Sequence, residues 1–201
     1  MSALPSPGQR PSGERVDAIL NAACRVILRE GAHGLRMATV ASEAGVSKAL
    51  VHYYFATRQE LLRHAVAYAD RRLNESLDAE LETLVTGRER IRRAFLTEVE
   101  ASPPYADQRS LWNEVWSGLR YDDELRPLVV ECYRGWIARF TSLIEEGKAD
   151  GSIPATVDAH ATAMRLSAAA DGLDSMLYLG LLDHRAAGEL ASQTLELELG
   201  T

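Results

Sequence analysis

Cysteine is scarce in this chain: of 201 residues only Cys24 and Cys132 carry a thiol. Two such distant cysteines make neither a disulfide framework nor a metal-chelating pair, and they read as packed free thiols. Long apolar runs are missing too. No stretch reaches the roughly 20 residues a membrane-spanning helix needs, and the opening "MSALPSPGQRPSGER" has no apolar segment of a secretory signal. These two absences point to a cytoplasmic protein with no membrane partner. Catalytic signatures are equally absent. The histidines (His33, His52, His64, His160, His184) fall singly, with no H-E-x-x-H, no phosphate loop, no G-x-G-x-x-G and no nucleophile elbow. No catalytic residue, no metal and no cofactor is therefore expected. No alternating β-branched run marks a strand.

What is present is a chain with 46% hydrophobic residues, enough for a globular core, and an almost continuous helical pattern. Residues 1–12, rich in Pro, Ser and Gly, read as a disordered arm. Val16, Ile19, Leu20, Ala23 and Ile27 then recur at helical spacing, with Gly31 as a C-cap. Short helices follow over Met37–Ala44 and from Ser47 to Phe55. T-x-x-E capping boxes at Thr57/Glu60 and Thr86/Glu89 open two more. Further helices are expected from Ser102-Pro103, over Asp123–Ala149, over Thr156–Leu179 and over His184–Leu197. The fold expected is all-α with about nine helices.

Net charge is −7, unevenly spread. Residues 1–65 hold eight Lys/Arg against five Asp/Glu, or +3, while the remainder is −10. A basic head on an acidic body implies that only the head meets a polyanion.

The segment "EAGVSKALVHYYF", residues 43–55, says how. With Gly45 as pivot, Val40, Ala41 and Ala44 precede it, and Val46, Val51 and Tyr54 follow, at the interior positions of a helix-turn-helix. A small Ala41 lets the helices approach, and glycine takes the left-handed turn. Burying those positions leaves Ser47, Lys48, His52 and Tyr53 on the outer side of the second helix, the one that enters the major groove in this motif. Ser47 as N-cap and Thr39 in the preceding helix's first turn sit where backbone N–H groups can hold phosphate oxygens. Lys48, His52 and Tyr53 can bond to phosphate or base edges, and Arg58 is placed for the flanking backbone. A double-stranded DNA operator is the expected partner.

"TVASEAGVSKALVHYYFATRQELL", residues 39–62, resembles the DNA-binding signature of TetR-family transcriptional repressors. His52 replaces the tyrosine usual there, Tyr53 a common histidine and Arg58 a common lysine; all three keep polar contact possible. "LWNEVWSGLRYDDELRPL" and "RLSAAADGLDSMLYLGLL" are similar to the C-terminal domain of the choline-responsive, BetI-like branch. The resemblance implies three segments: the arm at 1–12, a helix-turn-helix domain over 13–60, and an effector-binding and dimerisation domain over 61–201. It also implies a homodimer through the last two helices, whose Ala and Gly residues suit close packing, released from DNA by a small organic effector.

Tyr105, Trp112 and Trp116 recur at spacings of seven and four, and Tyr133, Trp136 and Phe140 at three and four. Either they form an aromatic core or, on the family likeness, they line the effector pocket with a carboxylate such as Asp171. Glu98, Glu114, Glu131 and Asp174 lie on the same helices, and spacing alone does not sort the inward from the solvated. The remaining alternatives are a helical small-molecule-binding protein, or an enzyme, without a DNA-binding role.

Overall fold

The computed structural model describes residues 12–118 and 125–200. Among them stand nine α-helices and no strand: α1 (Ser12–Gly34), α2 (Met37–Ala44), α3 (Lys48–Tyr54), α4 (Arg58–Leu81), α5 (Gly87–Leu96), α6 (Tyr105–Gly118), α7 (Arg126–Asp150), α8 (Ala159–Tyr178) and α9 (His184–Leu199), with a 3-10 turn at Thr97–Val99. The expected arm at 1–12, up to residue 11, and the expected helix start at Asp123 lie outside the described residues.

Local chemistry explains where these helices begin and end. Thr86 and Glu89 form a reciprocal capping box at the start of α5, with the Glu89 N–H donating to Thr86 Oγ1 at 3.2 Å and the Thr86 N–H to Glu89 Oε2 at 3.0 Å. Before α4, Thr57 Oγ1 accepts from the Glu60 N–H (3.1 Å), but the Glu60 carboxylate reaches one residue further back, to the Ala56 N–H (2.7 Å). α8 begins at Ala159, three residues later than the expected start at Thr156, because Asp158 is the N-cap and accepts from the Ala161 N–H at 3.1 Å. α6 begins at Tyr105 rather than at Ser102-Pro103, since Pro104 biases Pro103 away from the helical region. At Gly31 the chain leaves helical geometry (φ 75, ψ 166), then makes one more turn to Gly34.

The chain forms two compact units. The first joins residues 1–72 to 110–128, and the second joins 73–109 to 129–201. α4, α6 and the first residues of α7 are therefore shared in sequence between units, whereas the sequence-based boundary stood at residue 60. The first unit is cored by Ile19, Ile27, Leu35, Val40, Val51, Leu61 and Leu62, all fully or almost fully buried. The second is cored by Leu77, Ile91, Phe95, Phe140, Ile144, Leu166 and Leu195. There α5 and α7 approach so closely that a Cβ on Gly87 would fall 2.1 Å from the Gly147 nitrogen.

Candidate nucleic-acid interface and effector-binding residues

In the first unit, α2, the turn and α3 sort their residues by face. Val40, Ala41 and Val51 are buried, while Ala44, Val46 and Tyr54 are half-buried beside them. Gly45 has φ 67 and ψ 34, the left-handed region, where a side chain is strained. The Gly45 N–H donates to Ser42 O (3.2 Å) and the Val46 N–H to Ala41 O (2.9 Å), which closes the end of α2. Ser47 then caps α3, its Oγ accepting from the Leu50 N–H at 3.1 Å. With the hydroxyl accepting there, its proton stays available to an outside oxygen.

Lys48, His52 and Tyr53 are all exposed on α3, Tyr53 to 80%. Tyr53 is held edge-on against Tyr54, with ring centroids 5.1 Å apart. Thr39 is half-buried in α2. Arg58 stands elsewhere than its expected outward position: its guanidinium donates to Leu35 O (2.9 Å) and to Ala32 O. It ties the start of α4 to the α1–α2 junction. A second clamp joins α1 to α2, where Glu43 accepts from Arg25 (2.8 Å) and Arg29 (3.1 Å). These guanidiniums hold the Glu43 carboxyl below the usual carboxylate range. Arg36, exposed at the N-cap of α2, enters the sequence reading only as a charge. Its position on that helix end comes from the fold. Cys24 donates to Ala65 O at 3.5 Å, and burial pushes its thiol up to about 11, as suits a packed, unreactive cysteine.

The aromatic candidates divide between the units. Trp112 and the 46% exposed Trp116 belong to the first. Tyr105, Tyr133, Trp136, Phe140 and Asp171 belong to the second. Phe140 is core, edge-on to both Phe95 (6.2 Å) and Trp136 (6.0 Å). Tyr105 is buried, its hydroxyl donating to Glu80 at 2.6 Å, and burial with that bond raises it to about 12. Arg93 lies over the Tyr105 ring and pairs with Glu80 (2.6 Å) and Glu100 (2.7 Å), which completes a satisfied network.

Tyr133 and Asp171 belong to a different cluster. The Tyr133 hydroxyl on α7 donates to Asp171 Oδ1 on α8 at 2.5 Å. Asp171 and Asp174, three apart on α8, both act on Glu98 in the 3-10 turn. Arg109 approaches them from α6: its Nε lies 3.2 Å from Asp174 Oδ1, and its Nη1 donates to the carbonyls of Glu98 (3.3 Å) and Glu100 (3.0 Å). Glu98 is half-buried as a residue, yet its carboxyl is enclosed by protein. Desolvation first, then the charges of Asp171 and Asp174, push it up to about 7, against the pull of Arg109. Asp171 is raised by desolvation, partly offset by Tyr133. Among the described residues, no group of His, Cys, Asp and Glu is arranged to hold a metal ion.

Comparison with known proteins places the chain. Residues 19–65 match the bacterial regulatory proteins of the tetR family, and residues 87–200 match the C-terminal domain of BetI-type transcriptional repressors. The chain belongs to the tetR family. It is 29% identical over 127 residues to the HTH-type transcriptional regulator BetI of Rhizobium meliloti (strain 1021), covering 63% of this chain and 62% of that protein. The BetI of Brucella anthropi is 29% identical over 126 residues, 63% of this chain and 64% of that protein. The matches thus span less than two thirds of these relatives' own length. Among solved structures, a TetR-family regulator from Rhodococcus sp. is similar over 94% of this tetR-family chain and all of its own (28% identity, TM-score 0.84). A transcriptional regulator from Saccharomonospora viridis, solved in complex with choline, is similar over 92% of this chain and 97% of its own (29% identity, TM-score 0.79). These relatives are named as regulators, not as enzymes.

Proposed function

We propose that this tetR-family chain is a transcriptional repressor that binds an inverted-repeat operator as a homodimer and releases it when a small organic cation enters its second unit. The observation that carries the DNA half is the facial split of α3. Val51 is buried, the left-handed Gly45 fixes the angle of entry, and Lys48, His52 and Tyr53 stand free to meet phosphate and base edges. Thr39, Ser47 and Arg36 flank them. Arg58 acts in this reading through the α1–α2 junction, not on the DNA backbone.

A two-fold partner would dock on α8 and α9. Met164, Ala168, Gly172 and Met176 form an exposed i, i+4 ridge on α8, and Leu190 and Leu197 are exposed on α9. An i±4 ridge of small and flexible residues suits close helix packing against a second copy. A homodimer in turn requires half-sites related by the same axis.

The grouping of the Glu98, Asp171 and Asp174 carboxyls, close enough for the two aspartates to act on Glu98, supports a cationic effector rather than a neutral one. The choline bound by the Saccharomonospora viridis protein makes quaternary ammonium compounds the first class to try. Tyr133 on α7, whose hydroxyl bonds Asp171, would add an aromatic ring beside such a cation, worth roughly 0.5–2 kcal/mol, whereas the Trp136 ring already lies under the Arg139 guanidinium at 5.8 Å. The test is a gel-shift on an operator selected from random duplexes, with choline added, beside sedimentation of the free protein. The proposal expects a dimer on a two-fold site and loss of the shifted band with choline. A monomer that binds tightly, or a complex that only neutral or anionic compounds dissolve, would overturn it.

A further inference from the structure

Of the chain's 22 basic residues, only Lys48 and Lys148 are lysines; the rest are arginines. That difference is chemical as well as electrostatic. A guanidinium keeps its proton at physiological pH, whereas an ε-ammonium that gives up a proton becomes an amine nucleophile. The two lysines stand in unlike places. Lys148 on α7 is half-buried, and its Nζ lies 3.0 Å from Glu145 Oε1, so a carboxylate holds its ammonium. Lys48 is exposed on α3, whose first turn carries no acid. Among the described residues, its side chain has no hydrogen bond or ion pair. His52, also exposed, stands one helical turn further on. Side chains at i and i+4 of a helix are neighbours, so an amine and an imidazole share one open face. That pairing is a nucleophile beside a base.

We propose that Lys48 is an acylation site: its amine takes the acyl group of a small acyl phosphate, and the resulting amide switches off operator binding. This rests on the reading of α3 as the helix that meets DNA. His52 accepts a proton from the Lys48 ammonium, and the freed lone pair on Nζ attacks the acyl carbonyl carbon. The bond from that carbon to the phosphate oxygen breaks, and inorganic phosphate leaves with a second proton from the nitrogen. Nothing is oxidised or reduced. A face suited to the phosphates of DNA also suits the phosphate end of such a donor. The amide product is neutral, so one cation is lost from the surface that meets the polyanion.

The test incubates the full-length protein with acetyl phosphate and follows acetylation of Lys48, Lys148 and the chain's α-amine by peptide mass spectrometry. Lys48 should react several times faster than Lys148, and His52→Gln should slow Lys48 while leaving Lys148 at its wild-type rate. Anisotropy on an operator duplex should then show a loss of affinity of roughly tenfold that tracks acetyl occupancy at Lys48. Lys48→Arg, compared with its own untreated affinity, should not respond to the reagent. Equal rates at the two lysines, or a Lys48 rate indifferent to His52→Gln, would overturn the proposal on the free protein alone and spare the DNA reading. Full operator affinity with Lys48 acetylated would also sink it. So would a response in Lys48→Arg, because another amine would then carry the loss. A wild-type protein that binds no operator would instead break the DNA reading, and the switch would fall with it.

Discussion

The two units place their charged groups in opposite ways. In the first, the interior is mainly apolar, and Lys48, His52 and Tyr53 are displayed outward on a short helix whose direction is fixed by one left-handed glycine. In the second, charged groups gather inward: Glu98, Asp174 and Arg109 converge from the 3-10 turn, α8 and α6, with the more exposed Asp171 beside them. A protein that reads a polyanion needs cations at its surface, where salt and water keep desolvation small. One that selects a small cation must exclude water around its carboxylates, and it carries their raised proton affinity as the consequence. In the proposed function, recognition by the first unit is thus a matter of surface and geometry, and by the second a matter of desolvated carboxyls.

The strongest way to break the contrast is at the turn. Gly45→Val places a β-branched residue at φ 67, a conformation it adopts only under strain. We expect operator binding to fall at least a hundredfold in gel-shift, while circular dichroism and cation titration show the second unit unchanged. Normal operator binding by this variant would mean that the entry angle of α3 is not set there.

This part of the molecule was open to sequence reasoning because each signal is local. Gly45, Ser47 and the Thr86–Glu89 box act within four residues of themselves, and all adopt the local geometry their spacing predicts. The second unit's chemistry is not local. Glu98 acquires its character from residues more than seventy positions away on α8, and as one of several acids on helical faces it carries no mark of its own. Arg58 shows the same limit in the first unit: the carbonyls it bonds belong to Ala32 and Leu35, and only the fold brings α4's start to them. The aromatic spacing was ambiguous for the same reason, since Phe140 at the core and Trp136 at its edge share one helical stripe.

The next effect sharpens the contrast through pH. Burial and the nearby aspartates push the Glu98 carboxyl up to about 7 in the folded chain, against an ordinary value of about 4.5, so the folded state binds the extra proton. Its contribution therefore lowers stability as pH rises from about 4.5 to about 7 and is constant above. Removing the titration with Glu98→Gln should make the variant's stability relative to wild type greater at pH 8 than at pH 4, by up to about 3 kcal/mol. Urea melts at the two pH values measure the difference. A difference near zero would mean the carboxyl is hydrated. Glu43 gives the opposite behaviour in the first unit: its carboxyl is lowered by Arg25 and Arg29, so what it adds is present above its ordinary pKa and lost as pH falls through the lowered one.

Smaller effects follow on each side. Lys48→Ala should weaken operator binding and, for a phosphate contact, reduce the slope of log affinity against log salt by about one. An unchanged slope with relaxed sequence preference would assign the ammonium to a base edge instead. In the second unit, Thr86→Ala removes one half of the capping box and should cost about 1 kcal/mol in a urea melt, without altering operator binding.

The most direct test of the whole account joins the two units in one titration. A fluorescently labelled operator duplex is bound by the protein, and choline is added at pH 8 and again at pH 6 while anisotropy reports release. Choline's charge does not change over this range, so the pH dependence belongs to the protein. With Glu98 at about 7, binding at pH 6 must first expel a proton, and the midpoint should rise roughly tenfold. The shift should vanish in Glu98→Gln. Equal midpoints at the two pH values in the wild type would contradict the account, as would release by a neutral isostere of choline at the same concentrations.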